Sequence, residues 1–300
     1  MGRAPIWEGS VTALYPGCAL EASSVQYGMS VSHVIEALEI PCPELDEWTC
    51  CGASSAHAVD PRLGQALTLR NLWLAEQQGF TEILAPCAAC YHRLRSANSS
   101  FKRDSQLLAD CNTQTGLDYK GAVRVLNLLE FLTGNVGVDR IGAAVRRPLS
   151  DLRVVCYYGC LNTRLQGADL DDDREWPMSM DRIVEAIGAV ALDWGCRTEC
   201  CGGSLFLTAE QVAARLVVEI LKEAIDREAD CIAVACPMCH NNLDVKQAAY
   251  CKRFDLGRQV PIVFITQLLG QALGTPDAAL GLSRNTIPLR ASKRVVANDC

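Results

Sequence analysis

Tyr15-Pro16-Gly17-Cys18, Cys50-Cys51-Gly52 and Cys87-Ala88-Ala89-Cys90 follow one another in the first half of the chain. Tyr157-Tyr158-Gly159-Cys160, Cys200-Cys201-Gly202 and Cys236-Pro237-Met238-Cys239 repeat that order in the second. Cys18 lies 142 residues before Cys160, and Cys50 lies 150 before Cys200, so the repeat has the length of a domain. Ten of the 17 cysteines belong to it. Such a duplication directs attention to which metal or redox centre the two copies build.

Around these cysteines the chain alternates strand and helix. Val11 to Tyr15 is a short apolar run that ends at Pro16-Gly17 and delivers Cys18 to a loop. Val31, Val34, Ile35 and Leu38 recur at helical spacing, and Pro61 to Gln78 carries Leu63, Leu67, Leu69, Leu72 and Leu74 on one side. Glu82 to Ala85 then reads as a strand ending at Pro86-Cys87, followed by a helix to about Leu108, a strand at Ala122 to Leu126 and a helix at Asn127 to Leu132. The second half follows the same plan: strand Leu152 to Tyr158, helix Met180 to Ile187, loop Cys200 to Gly203, helix Ala209 to Glu228, strand Cys231 to Ala235, strand Pro261 to Phe264 and helix Thr266 to Leu273. The fold class is therefore α/β, with two pseudo-repeated halves and largely parallel sheets. The expected division is 1–139, a linker at 140–150 around Arg146-Arg147-Pro148, 151–274, and a C-terminal arm at 275–300 that is extended or partly disordered.

Hydrophobic residues make up 49% of the chain and charged residues 21%, enough apolar material for two cores. A net charge of -7, with no basic run longer than a pair such as Arg146-Arg147, argues against a nucleic-acid surface. Met1 to Gly9 lacks the pattern of a signal peptide and no long apolar run is free of charge, so a cytoplasmic protein without a membrane span is expected. A reducing compartment turns clustered cysteines toward metal ligation or redox work rather than structural disulfides.

Within each copy the spacing is Cys-x31-Cys-Cys-x35-Cys-x2-Cys or Cys-x39-Cys-Cys-x34-Cys-x2-Cys, which is five thiols. A structural zinc ion or an ordinary cubane cluster takes four. The surplus points to a larger or irregular iron–sulfur centre, with zinc in one half as the alternative.

The motifs resemble the CCG domain pair found in the B subunits of heterodisulfide reductases. The likeness extends to Ala75-Glu76, Pro86-Cys87 through Ala97-Asn98, Ala229-Asp230-Cys231-Ile232, Cys236-Pro237-Met238-Cys239-His240 and Pro261 to Gly274, spanning roughly residues 11–274. The resemblance implies one noncubane 4Fe-4S cluster per half, with the clusters at the interface of the two halves. Cys18, Cys50, Cys51, Cys87 and Cys90 would ligate the first, and Cys160, Cys200, Cys201, Cys236 and Cys239 the second. It also implies a catalytic polypeptide of the B type that cleaves or forms a disulfide, or handles a thiol, persulfide or protein-bound lipoate equivalent, between the two clusters. Its partners would be a ferredoxin-like iron–sulfur polypeptide and a flavin-containing polypeptide of the same complex. His240, which directly follows the last ligand, is the candidate proton donor. Leu161 stands after Cys160 where the family pattern has a histidine, which favours a bacterial sulfur-metabolism branch over the methanogenic substrate. The second reading is an electron-relay component of a lactate- or glycolate-type oxidoreductase complex.

Outside the repeat, Cys42, Cys111, Cys156, Cys231 and Cys251 read as buried thiols, while Cys196, four residues before Cys200, is a candidate site neighbour. Cys300 reads as an inert terminal thiol, His33 as structural, His57 and His92, within a few residues of the motif cysteines, as weaker candidates than His240, and Asp169 to Glu175 as a solvated acidic loop.

Overall fold

The computed structural model describes residues 11–53, 56–164 and 172–289, the side chain of His57 excepted. Cys300, that imidazole and the first residues of the acidic run lie outside the described residues. The first half comprises β1 (Thr12–Leu14), α1 (Gly17–Glu21), α2 (Val25–Ala37), α3 (Ala56–Val59), α4 (Pro61–Gln77), β2 (Glu82–Leu84), α5 (Ala88–Arg103), α6 (Ser105–Thr115), β3 (Arg124–Leu126) and α7 (Leu128–Glu130). A π-helical stretch, Phe131–Gly137, leads into α8 (Val138–Ala144). The second half comprises β4 (Arg153–Tyr157), α9 (Cys160–Thr163), α10 (Ser179–Ala186), β5 (Val190–Leu192), α11 (Glu210–Asp226), β6 (Cys231–Val234), α12 (Pro237–Asp244), α13 (Gln247–Phe254), β7 (Ile262–Phe264) and α14 (Ile265–Ala272).

The first sheet has the order β1-β2-β3 and the second β5-β4-β6-β7, and every pairing is parallel. In the second half the chain moves from β4 outward to β5, then returns to the other side of β4 as β6. Strand order therefore reverses between β4 and β6, and such a switch opens a crevice at the carboxyl ends of the two strands. The first half has the same switch in reduced form. There the outer strand has shrunk to one parallel bridge between Leu14 and Glu44, held by Leu14 N–H on Pro43 O at 2.7 Å and Leu45 N–H on Leu14 O at 2.9 Å. Cys18 and Cys87 follow β1 and β2, and Cys160 and Cys236 follow β4 and β6, so sequence order and topology deliver both thiol sets to the two switch points.

The two sheets share a core. One continuous set of buried side chains runs from Ala13 and Leu14 through Val154 and Ile232 to Leu269 and Leu282. The halves exchange helices: α14 lies along α2, α10 on α8 and α9 on α5. Leu268 and Leu269 of α14 are fully buried there, each contributing about 1.5–3 kcal/mol of transfer free energy.

Several local expectations change. Leu63, expected on the apolar side of α4, is 47% exposed, because the helix turns its first residues to solvent beyond the Asp60 cap and Pro61. The helix expected to run to Leu108 stops at Asp104, whose carboxylate accepts from Gln106 N and Leu107 N at 3.0 Å each and starts α6. β5 is a three-residue edge strand with Val190 half exposed, too short for an alternating pattern to announce it. Of residues 140–150, expected as a linker, 140–144 complete α8, with Ile141 buried. The described part of the expected arm, 275–289, packs down on the body: Leu280 is buried against Gly270, and Asn285 bonds Gln267 at 3.0 Å.

Candidate metal centres at the two switch points

The turn after the first strand of each half brings a thiol under control of a glycine. Gly17 and Gly159 have φ of +67° and +70°, where a side chain is strained. A Cβ at Gly17 would stand 2.8 Å from Cys90 Sγ, and one at Gly159 would stand 3.1 Å from Cys239 Sγ. Both glycines therefore let backbone lie against the last cysteine of the same set. The preceding tyrosine locks the second loop: Tyr15 Oη donates to Thr49 O at 2.6 Å, and Tyr157 Oη to Glu199 O at 2.5 Å, each just before the paired cysteines. In the first half Asn71 holds Thr49 further, accepting from its N–H at 2.8 Å and donating to its carbonyl at 3.0 Å.

Within each set some of the sulfurs meet. Cys51 and Cys90 share a hydrogen bond at 3.3 Å, Cys201 and Cys239 one at 3.7 Å, and Cys160 and Cys200 one at 4.0 Å. Gly52 N–H points at Cys50 Sγ at 3.4 Å, and Gly202 N–H at Cys200 Sγ at 3.3 Å. Cys51, Cys87, Cys90, Cys201, Cys236 and Cys239 are buried, Cys160 and Cys200 are partly buried, and Cys18 and Cys50 are exposed. All described cysteines are free thiols.

Electrostatics within each set divide the thiols into proton holders and proton losers. The shared hydrogen bond with Cys90 pulls the Cys51 thiol down to about 7, against the opposing effect of burial. Cys90 is pushed up by the same bonds. Cys160 likewise stabilises the Cys200 thiolate, which falls to about 6, while Cys160 itself rises. Burial raises Cys18 to about 11, with Cys50 adding to it.

Among the described residues no three His, Cys, Asp or Glu side chains converge closely enough to hold a single metal ion. Cys90 meets both Cys51 and Cys87, and Cys239 both Cys201 and Cys236, so these sulfurs form a short chain in each half rather than a closed tetrahedron. Five soft donors, amide N–H groups aimed at sulfur and a glycine face with no room for a side chain fit a multi-iron sulfide group.

His240 is 1% exposed and stacks on Phe264, ring centroids 4.3 Å apart. Neither ring nitrogen has a partner at good hydrogen-bond geometry, although Ile262, Asn241 and Asn285 lie beside it. Cys196 stays apart from the sulfur pairs. Its N–H and that of Gly195 donate to the Glu223 carboxylate, and burial pushes its thiol up to about 12. Leu161 packs partly buried on the core, and His33 faces Glu36 at 3.4 Å.

Sequence reasoning noted Tyr15, Gly17, Tyr157 and Gly159 as part of the repeat without assigning them work; their recurrence beside Cys18 and Cys160 was the available signal. It missed a buried ion pair in the second half. Arg197, 1% exposed, reaches Asp181 at 3.4 Å and Asp193 at 3.0 Å, and its carbonyl accepts from Tyr158 N and Gly159 N, pinning the turn that carries Cys160. Tyr158 Oη donates to the same Asp181 at 2.5 Å. No spacing or periodicity announces these partners.

This constellation, two parallel α/β halves each presenting five cysteines at its switch point, defines a class of duplicated cysteine-rich redox domains. The chain belongs to the CCG family, described as the cysteine-rich domain, whose pattern matches residues 12–95 and 154–244. It is 33% identical over 92% of its length to the 8-methylmenaquinol:fumarate reductase membrane anchor subunit of Wolinella succinogenes, covering 96% of that protein. It is 31% identical over 92% of its length to the B subunit of the ferredoxin/F(420)H(2)-dependent CoB-CoM heterodisulfide reductase of Methanosarcina acetivorans, covering 93%. A protein of Archaeoglobus profundus described as like the heterodisulfide reductase B subunit is 26% identical over 90% of the chain and is covered to 93%. The crystal structure of a hypothetical protein from Helicobacter pylori shares the fold, with a TM-score of 0.74 at 15% identity; the match covers 93% of this chain and about half, 52%, of that one. Among the described residues no helix is long and apolar enough to cross a membrane.

Proposed function

We propose that the chain is the iron–sulfur component of a larger oxidoreductase complex and relays electrons through two clusters, one in each half. Each noncubane 4Fe-4S cluster would be held by the five repeat cysteines of its half, and when bound it supplies one-electron redox chemistry. The chain's own residues do the rest. Tyr15 and Tyr157 hold the paired-cysteine loops, Gly17 and Gly159 keep that face clear, and Gly52 N–H and Gly202 N–H stabilise negative charge on Cys50 and Cys200.

The observation that carries relay over substrate chemistry is the packing between the two thiol sets. Tyr27 is fully buried; burial pushes its phenol up, and Cys87 and Cys236, one from each set, lie close enough for their charges to add to that shift. Phe264 and His240 back it. Protein rather than a solvent-filled chamber occupies this part of the interface. A relative named for quinol:fumarate chemistry aligns over nearly its whole length, which supports a relay that is not tied to sulfur substrates.

A second reading, disulfide cleavage or formation, is favoured by one feature: Cys18 and Cys50 are exposed, so one edge of the first set is open to a sulfur substrate. The relatives named for the heterodisulfide reductase B subunit agree with it. In that reading His240 is the proton donor, and a flavin-containing polypeptide and a ferredoxin-like iron–sulfur polypeptide are the partners. The cytoplasm is the compartment in either case.

Anaerobic purification with iron and sulfide counting tests the cofactor: two clusters require about eight irons per chain. Stoichiometric zinc with about four irons would instead point to a structural metal in one half. EPR during oxidation in the presence of small thiols and disulfides separates the readings, because a thiol-dependent paramagnetic species belongs to disulfide chemistry and its absence to relay.

A further inference from the structure

The interface between the halves contains one aromatic column, and the chain carries it on one side only. Tyr27, near the start of α2, stacks on Phe264 with centroids 4.0 Å apart and planes 9° from parallel. Phe264 stacks in turn on His240 at 4.3 Å and 8°. Two rings that close to the same neighbour cannot share a face without overlapping, so Phe264 is sandwiched between them. All three are at most 1% exposed.

Both ends of the column are joined to ligand segments. Tyr27 Oη donates to Pro86 O at 3.1 Å, on the peptide that leads into Cys87. His240 is the residue after Cys239. Beside the column Ser30 and Thr266 hydroxyls bond at 2.7 Å, closing α2 onto α14.

The pseudo-equivalent positions across the duplication are built differently. Tyr91 follows Cys90 as His240 follows Cys239, and Asn127 caps α7 as Phe264 precedes α14. There Tyr91 Oη donates to Glu130 Oε1 at 3.0 Å, and Asn127 and Glu130 form a capping box. The third residue of α10, matching Tyr27 in α2, is Asp181, engaged with Tyr158 and Arg197. A small cavity of about 30 Å³, room for a water, lies among Asn127, Glu130, Tyr158, Asn162 and Ser179. One crossing is filled by buried aromatic rings, the other is polar, with space for water.

We infer that the Tyr27–Phe264–His240 column is the positioning element that holds the two cysteine centres in a fixed relation, so that one electron passes directly between them. The inference rests on the two-cluster reading. Stacked rings have a preferred offset and spacing, unlike aliphatic packing, and a column anchored on two ligand segments fixes their separation. In the transfer one centre loses an electron and the other gains it, with no bond made or broken. Tyr27 and Phe264 are positioning residues: the stacked rings set the spacing, and the Tyr27 hydroxyl ties that end to the Cys87 segment through Pro86 O.

The test uses the intact complex with five variants: Tyr27→Phe, Tyr27→Leu, Phe264→Leu, Phe264→Tyr and, as an interface control outside the stack, Thr266→Val. Iron and sulfide content, the magnetic interaction between the two centres by EPR, and the rate of equilibration after rapid reduction are measured for each. Wild-type protein without two clusters defeats the cluster reading itself, independently of the column. With clusters loaded, Thr266→Val retains wild-type interaction and rate, and Tyr27→Phe, which keeps the stack but loses the tie to Pro86 O, falls between wild type and Tyr27→Leu. Tyr27→Leu and Phe264→Leu keep their iron but lose the magnetic interaction, and equilibration slows by about tenfold or more, as expected when positioned groups are loosened. The inference is overturned if fully loaded Phe264→Leu behaves like wild type, or if Thr266→Val does as much damage as Phe264→Leu. A Tyr27→Phe protein as impaired as Tyr27→Leu would also overturn it, by assigning the role to the hydroxyl. Should Tyr27→Leu fold poorly, Phe264→Leu and Phe264→Tyr, the latter expected to match wild type, decide the matter alone.

Discussion

The two halves were built on one plan and have kept different parts of it. Both retain the glycine against the last cysteine, the tyrosine clamp on the paired-cysteine loop and the amide aimed at the first cysteine of that pair. They differ where the plan is held up from outside. The first half has a single bridge where the second has β5, and its Cys18 and Cys50 are exposed. The second half braces the Cys160 turn with the buried Arg197–Asp181 pair and Tyr158; at the matching positions of the first half stand Pro16 and Tyr27, which form no such pair. Features that shape the cysteine-bearing loops themselves are common to both halves; the elements that brace those loops from outside have diverged. This is the division expected if the sulfur geometry is set by the inorganic group and the supporting shell by whatever each half must face.

The comparison breaks most visibly if one half can be emptied without the other. Replacing Cys90 by Ser should remove the first centre and leave about four of about eight irons, and Cys239→Ser should do the same for the second. Iron analysis and separate EPR signatures check both. Loss of all iron from either variant would show that the halves load only together.

The next largest effect falls on the second half alone. Asp181→Ala leaves Arg197 buried with a single, mostly exposed carboxylate partner, and breaking a buried pair costs about 3–5 kcal/mol. A lowered Tm with iron lost chiefly from the second centre is expected. Equal loss from both centres would mean the pair supports the common core rather than the Cys160 turn.

Gly17→Ala and Gly159→Ala sharpen the contrast at the shared glycine. Each costs about 1–2 kcal/mol for its positive φ, and Gly17→Ala adds the closer approach, 2.8 Å against 3.1 Å, to sulfur. Denaturant unfolding should rank Gly17→Ala below Gly159→Ala. The smallest effect concerns helix starts: Asp60 caps α4 through Arg62 N at 2.9 Å, whereas Ala209 before α11 has no side-chain cap. Asp60→Ala should cost about 1 kcal/mol and Ala209→Asp should gain a similar amount, both read from thermal unfolding.

Much of this was legible before the fold. The cysteine spacing marked the duplication, ten thiols and two α/β halves, because a ligand motif is local and a short buried strand before a cysteine is a local pattern. The same spacing, set against the four ligands of zinc or a cubane, pointed to an irregular cluster. Recurrence of Tyr15, Gly17, Tyr157 and Gly159 was visible too, although their work was not. Three things were decided only by tertiary structure. β5 and the Leu14–Glu44 bridge depend on edge pairing with β4 and β1, which a three-residue segment does not encode by itself. Arg197 and Asp181 lie 16 residues apart and meet because the Cys160 turn folds over both. Tyr27, Phe264 and His240 lie far apart along the chain and become a column only when α2 of one half packs along α14 of the other. What the chain spells out residue by residue is which atoms are offered to a metal. How the two centres stand toward each other depends on long-range packing across the duplication, and no local pattern carries that information.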